Sequence, residues 1–127
     1  MAASARRILV VEDQEDNRRI LRDLLTSVGY EVLEATTGED GVVAAARHRP
    51  DLILMDIQLP VLDGYGATRR IKAAPELAHI PIIAVTSYAL SGDDARAFEA
   101  GCDGYIAKPY SPRELLALVR RHLPPAA

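Results

Sequence analysis

The stretch Pro50-Asp51-Leu52-Ile53-Leu54-Met55-Asp56 decides the fold, because four apolar residues run without a break into a carboxylate. A continuous apolar run of this length is what a strand buried on both faces requires. Three further runs end in the same way. Ile8-Leu9-Val10-Val11 leads to Glu12 and Asp13, Ile82-Ile83-Ala84-Val85 to Thr86, and Tyr105-Ile106-Ala107 to Lys108. As parallel strands of one sheet, the four runs would bring their polar ends to one edge. That edge would hold three carboxylates, a hydroxyl and an ammonium, a set suited to a hard divalent cation and a phosphoryl group.

Amphipathic segments separate these runs, so the chain reads as α/β with a parallel sheet. The first strand is expected over residues 7–11 and the first helix over about 15–28. In that helix Ile20, Leu21, Leu24, Leu25 and Val28 recur at helical spacing. Gly29 stands where a left-handed C-terminal cap belongs. Residues 30–35 alternate apolar and charged side chains, as an exposed edge strand would. The second helix opens at 37–40 and runs to about 48, and the third strand covers 52–55. A turn over 59–64 leads into a helix ending near 73, and the fourth strand begins at Pro81. An alanine-rich fourth helix opens at 92–94 and stops at Gly101, with Leu90 and Phe98 as its main large apolar residues. The fifth strand covers 105–107 and the last helix 111–123. Five such units build a doubly wound five-stranded parallel sheet with five helices, and ligands of such sheets sit at the carboxyl ends of the strands.

A length of 127 residues suits a single domain, with a core over about 7–123 and a short tail at 124–127. The chain has no apolar run long enough for a transmembrane helix, and its polar start meets an apolar run too short for a signal-peptide core. One cysteine, Cys102, excludes an internal disulfide and suits a reducing cytosol; beside Gly101 it reads as a small packing residue. A net charge of -3 with both signs interspersed lacks the basic footprint of a nucleic-acid binder. His48, His79 and His122 lie far apart and match no metal-ligand spacing, so they read as surface residues.

At the polar edge the carboxylates come first. Three in proximity repel one another, and a bound Mg2+ would relieve the repulsion. Glu12 and Asp13 are neighbours, so the chain must turn after Val11 for both to serve, or one must act through water. A solvated acidic loop is the ordinary alternative. Asp56 is harder to explain away, since a carboxylate on a central strand is costly unless it is exposed at the strand end or paired. As a nucleophile it could attack phosphorus, with Lys108 neutralising one phosphate oxygen and Thr86 donating to another. The plain alternatives are an Asp56–Lys108 ion pair and a β-branched strand residue at Thr86.

The segments Val10-Val11-Glu12-Asp13, Leu52-Ile53-Leu54-Met55-Asp56, Pro81-Ile82-Ile83-Ala84-Val85-Thr86-Ser87 and Gly104-Tyr105-Ile106-Ala107-Lys108-Pro109 together resemble the receiver domain of two-component response regulators. Within that family the chain looks most like stand-alone cell-cycle receivers of the DivK type, and it is similar to receivers fused to hybrid histidine kinases. The resemblance implies a flavodoxin-like sheet of strand order 2-1-3-4-5. It implies a phosphorylation-activated switch in the cytoplasm. Asp56 would be the phosphoacceptor, taking phosphate from a histidine kinase or histidine phosphotransfer protein. Mg2+ would be held by Glu12, Asp13, Asp56 and the backbone carbonyl of Gln58. Lys108 would contact the phosphoryl group, and Thr86 and Tyr105 would form the switch. The Lys108–Pro109 bond would be cis, and Gln58 and Tyr88 would flank the site. Output would be a protein contact through the fourth helix, fifth strand and fifth helix, with Leu116 and Leu123 as surface leucines there. The donor would pack on the first helix near Asn17, Ile20 and Leu21. The protein would be a monomer or a weak phosphorylation-dependent dimer, with no direct nucleic-acid or membrane partner and at most weak autophosphatase activity.

Three other classes are expected to fit less well. A Mg2+-dependent phosphohydrolase with an aspartyl-phosphate intermediate usually carries a second aspartate two residues after the nucleophile, where this chain has Gln58. A docking module that is never phosphorylated would have no use for the intact set of five polar residues. A flavin protein on this fold would want aromatic walls, and the chain has no tryptophan.

Overall fold

The computed structural model describes residues 6–86 and 93–123. Strands β1 (Arg7–Val11), β2 (Glu31–Ala35), β3 (Leu52–Asp56), β4 (Ile82–Thr86) and β5 (Gly104–Ala107) alternate with helices α1 (Glu15–Ser27), α2 (Gly38–His48), α3 (Gly64–Ala73), α4 (Asp93–Ala100) and α5 (Pro112–His122). The strands form one parallel sheet in the order β2-β1-β3-β4-β5, as the resemblance implied. Tyr88 and Leu90 lie outside the described residues.

Strand periodicity divides the core between two faces. Leu9, Val11, Ile53, Met55, Ile82 and Ala84 pack with residues of α2, α3 and α4. Their alternate neighbours Ile8, Val10, Leu52, Leu54, Ile83 and Val85 pack with Leu21 and Leu25 of α1 and with Leu115 and Val119 of α5. This two-faced burial is why the central strands carry uninterrupted apolar runs. The helix placement follows from right-handed crossovers: the chain steps one way from β1 to β2 and the other way thereafter, so α1 and α2 must lie on opposite faces. The reversal opens a crevice between the carboxyl ends of β1 and β3.

Local chemistry sets the boundaries. Thr37, Asp63 and Ser111 each accept a backbone N–H three residues on, capping α2, α3 and α5. Gly29 has φ +96, and the bonds Tyr30 N–H to Leu25 O (3.2 Å) and Gly29 N–H to Thr26 O (3.1 Å) close α1 in a Schellman turn. Lys72 ties α3 to the sheet, donating to Ile80 O at 2.7 Å and to Asp103 Oδ2 at 2.9 Å.

Three expectations about packing are corrected. Ile20 and Val28 share the helical spacing of the α1 stripe but are exposed, because only Leu21, Leu25 and half-buried Leu24 face the sheet. Phe98 is 51% exposed, and α4 packs through Ala97 and Ala100 instead. Leu123 is buried against the α1–α5 face and Leu116 is half-buried, so Leu123 is no surface leucine. Cys102 is buried 3.7 Å from Thr68 Oγ1, and burial pushes its thiol pKa up, as expected of a packing residue.

Candidate metal and phosphoryl site

Glu12, Asp13 and Asp56 meet at the crevice, each offering a carboxylate oxygen within 4.8 Å of the others. The chain leaves the ladder just after β1, which lets both neighbouring acids face the same point. Glu12 is 2% exposed, which is tolerable because its charge is paired: Lys108 Nζ donates to Oε1 at 3.0 Å and the Gln14 N–H to Oε2 at 3.1 Å. Lys108 follows β5, so its side chain reaches across the ends of β4 and β3 to do this. The ion pair is therefore with Glu12, and the Asp56–Lys108 pair considered from sequence is not the one that forms among the described residues.

Asp56 is the last residue of β3 and is buried, 6% exposed. The Gln58 N–H donates to its Oδ1 at 2.9 Å, which sets the rotation of the carboxylate. Asp13 is half-buried, and its pKa is raised above the ordinary 3.8, first by burial and then by its hydrogen bond to Glu12 and the neighbouring charge. The three acids could hold a hard divalent ion with water completing its shell.

Thr86 ends β4 and is buried, and its carbonyl accepts the Lys108 N–H at 2.6 Å. Strand alternation puts Thr86 on the face of half-buried Tyr105, which packs against the α3–α4 core. The Lys108–Pro109 peptide is cis. Beside it runs an apolar groove of about 310 Å³ walled by Asn17, Ile20, Leu24, Pro109, Tyr110 and Pro112, with Lys108 at its end. Leu21, expected in this surface, is buried in the core instead.

Two participants were missed from sequence. Arg18 Nη1 donates to the Glu12 carbonyl at 3.0 Å, and nothing in the sequence separates it from the other arginines of α1. Gly64, the first residue of α3, abuts the backbone of Asp56; its only signal in the sequence is a glycine at the end of the 59–64 turn.

Comparison with known proteins agrees with this geometry. The family model for the response regulator receiver domain matches residues 8–120. The polar-differentiation response regulator DivK of Brucella anthropi is 43% identical over 116 residues, covering 91% of this chain and 94% of that protein. The receiver domain of a sensor histidine kinase from Pseudomonas aeruginosa, solved with a magnesium ion coordinated in its active-site cleft, superposes with a TM-score of 0.86 at 43% identity, covering 93% of this chain and 97% of that one. A Vibrio cholerae chemotaxis protein of the CheY type superposes with a TM-score of 0.89 at 26% identity, covering 94% of this chain and all of that one.

Proposed function

The chain belongs to the response regulator receiver domain family of two-component systems, and from that membership we propose that it is a Mg2+-dependent switch phosphorylated on Asp56. The observation that carries the assignment is the convergence of Glu12, Asp13 and Asp56 beside the Lys108 ammonium at the carboxyl ends of the strands. Gln58 offers no acid or base two residues after Asp56, which favours a switch over a phosphohydrolase.

With its Oδ1 held by Gln58, Asp56 presents Oδ2 to phosphorus in line with the P–N bond of a phosphohistidine. The P–O bond forms as the P–N bond breaks, and the imidazole leaves with the electron pair. The Lys108 ammonium exchanges Glu12 for a phosphoryl oxygen, and the buried Glu12 carboxylate, which keeps the Gln14 N–H, would be paired with the bound cation instead. Glu12, Asp13, Asp56 and the Gln58 carbonyl would hold Mg2+, one acid through water. Bound there, the ion neutralises the negative charge gathered between the carboxylates and the phosphoryl oxygens. The donor, a histidine kinase or histidine phosphotransfer protein, packs on the groove at Ile20, Pro109 and Tyr110. That groove opens beside Lys108 and offers the apolar wall that a helical bundle needs.

Acetyl phosphate and Mg2+ should add one labile phosphoryl group to the intact protein, read by mass, and a chelator should stop the reaction. Labelling that persists in excess chelator would refute the metal requirement. Protons also compete with the cation. Because the Asp13 pKa is raised, protonation begins at higher pH than for an unshifted aspartate. Mg2+ affinity should therefore be weaker at about pH 5 than at about pH 7.5. Equal affinity at the two would count against Asp13 as a ligand.

Output follows from the same edge. Thr86 is drawn to the phosphoryl group, and Tyr105, on its face, turns into the space vacated. This biases a two-state equilibrium read by partners at α4, β5 and α5. Beryllofluoride, standing in for the phosphoryl group, should shift the amide signals of residues 93–100 and of Tyr105. In Thr86→Ala the ion should still bind, but those shifts should shrink. A full shift pattern in the variant would break the proposed link.

A further inference from the structure

The geometry points to Arg18 as a positioning residue for the cation-binding carboxylates, acting through the backbone of Glu12. This rests on the divalent-cation reading above. The Arg18 side chain is 17% exposed and reaches two partners from the first turn of α1. Nη1 donates to the Glu12 carbonyl at 3.0 Å, and Nε donates to Glu34 Oε1 at 3.1 Å. Glu34 belongs to the edge strand β2 and also accepts from Arg22 Nη1 at 3.2 Å. The guanidinium therefore bridges the edge strand and the first residue beyond β1. A planar fork of donors is pre-organised for two partners in a way that a flexible amine is not.

Glu12 is where the chain leaves the sheet. Its N–H donates to the Ala35 carbonyl at 3.0 Å, while Lys108 and the Gln14 N–H hold its carboxylate oxygens. With Arg18 on the carbonyl, both backbone groups and both carboxylate oxygens of Glu12 are engaged. The peptide plane that starts at this carbonyl leads directly into Asp13, so its tilt sets where the Asp13 carboxylate points. The Gln14 side chain does not cap α1; the turn is gripped by Arg18, one helical turn along.

Charge and position predict opposite signs. A guanidinium near three carboxylates opposes a second cation, so by Coulomb's law alone removing it would tighten Mg2+ binding. If Arg18 positions the ligands, removing it loosens Mg2+ binding, as losing an outer hydrogen bond to a metal ligand usually does.

The test uses the full chain, with Mg2+ titrations followed by the amide signals of Asp13 and Ile57 and with urea unfolding alongside. Saturable binding in the parent checks the underlying reading, and its absence sinks that reading and this inference together. Given binding, Arg18→Ala should raise the Kd for Mg2+ roughly tenfold. Arg18→Lys, which keeps the charge and one donor, should recover part of the loss. Arg22→Ala also loses a bond to Glu34 but does not touch Glu12, and should stay within about twofold of the parent. If Arg18→Ala proves unfolded in the urea series, Arg18→Met, which keeps most of the aliphatic stem and removes every donor, carries the test and should raise the Kd severalfold. Unchanged or tighter Mg2+ binding in a folded Arg18→Ala variant overturns the inference, and so does an equal loss in Arg22→Ala.

Discussion

Asp56→Asn is expected to take up no phosphoryl group from acetyl phosphate, whereas the parent protein takes up one. Asparagine has nearly the same shape, and its amide oxygen can still accept the Gln58 N–H that Asp56 Oδ1 accepts at 2.9 Å. What it lacks is the anionic oxygen that attacks phosphorus. The fold should survive, because the substitution also removes one of three carboxylates whose oxygens lie within 4.8 Å of one another. In metal-free buffer the variant should melt at or above the temperature of the parent, since like-charge repulsion is relieved. Added Mg2+ should narrow that difference by stabilising the parent more. Intact mass reads the labelling and thermal unfolding reads the charge effect. A variant that labels as fully as the parent would remove Asp56 from its role, and digestion with peptide mass mapping would then show which acid takes its place.

Gly64→Ala is expected to damage fold and site together. A Cβ on Gly64 would lie 2.3 Å from the Asp56 carbonyl oxygen and 2.6 Å from Ile57 Cα. Both neighbours are backbone, so no side chain can rotate out of the way. Either the start of α3 lifts or the end of β3 moves, and the second displaces Asp56 and Gln58. The loop has little slack to absorb the change. Gly38 is pressed as closely against the Leu62 carbonyl, and fully exposed Val61 already sits at φ +66, a conformation that β-branched residues rarely adopt. Overpacking of this kind costs about 1–3 kcal/mol and sometimes more, and the high end is expected here. Gly66→Ala is the paired control. Its Cβ would meet Leu62 Cδ1 at 2.7 Å, the far end of a side chain that can turn aside. A helical glycine replaced by alanine recovers up to about 1 kcal/mol, so this variant should be near neutral. Urea midpoints and Mg2+ titrations of both variants decide the matter. Equal stability of the two, with equal Mg2+ affinity, would show that the Gly64 contact is not needed.

The polar edge was legible because every functional group at it ends an apolar run, and parallel strands align their carboxyl ends whatever their order. Ile82 to Val85 and Leu52 to Met55 could be read as central strands since burial on two faces leaves no polar position to confuse the pattern. Helical faces were less legible. The spacing that marks Leu21 and Leu25 also includes Ile20, yet Ile20 is 60% exposed and walls the groove beside Lys108. Spacing defines the direction of a stripe, and the neighbouring element decides where the stripe stops. Leu123 shows the converse, since it looked like surface but is buried against the α1–α5 face.

Residue order alone therefore determined the strands, their shared edge and the chemistry gathered there, because burial and periodicity are local properties of the chain. Tertiary structure alone decided which charges pair. Lys108 and Glu12 stand 96 residues apart and meet at 3.0 Å, and Arg18 finds the Glu12 carbonyl and Glu34 at once. A hydrogen bond is made or lost within a few ångströms, and the Coulomb energy of an ion pair weakens as its partners separate. Choosing Glu12 over Asp56 as the partner of Lys108 thus depends on the lateral reach of one side chain across two strand ends, a distance that exists only once the sheet has formed.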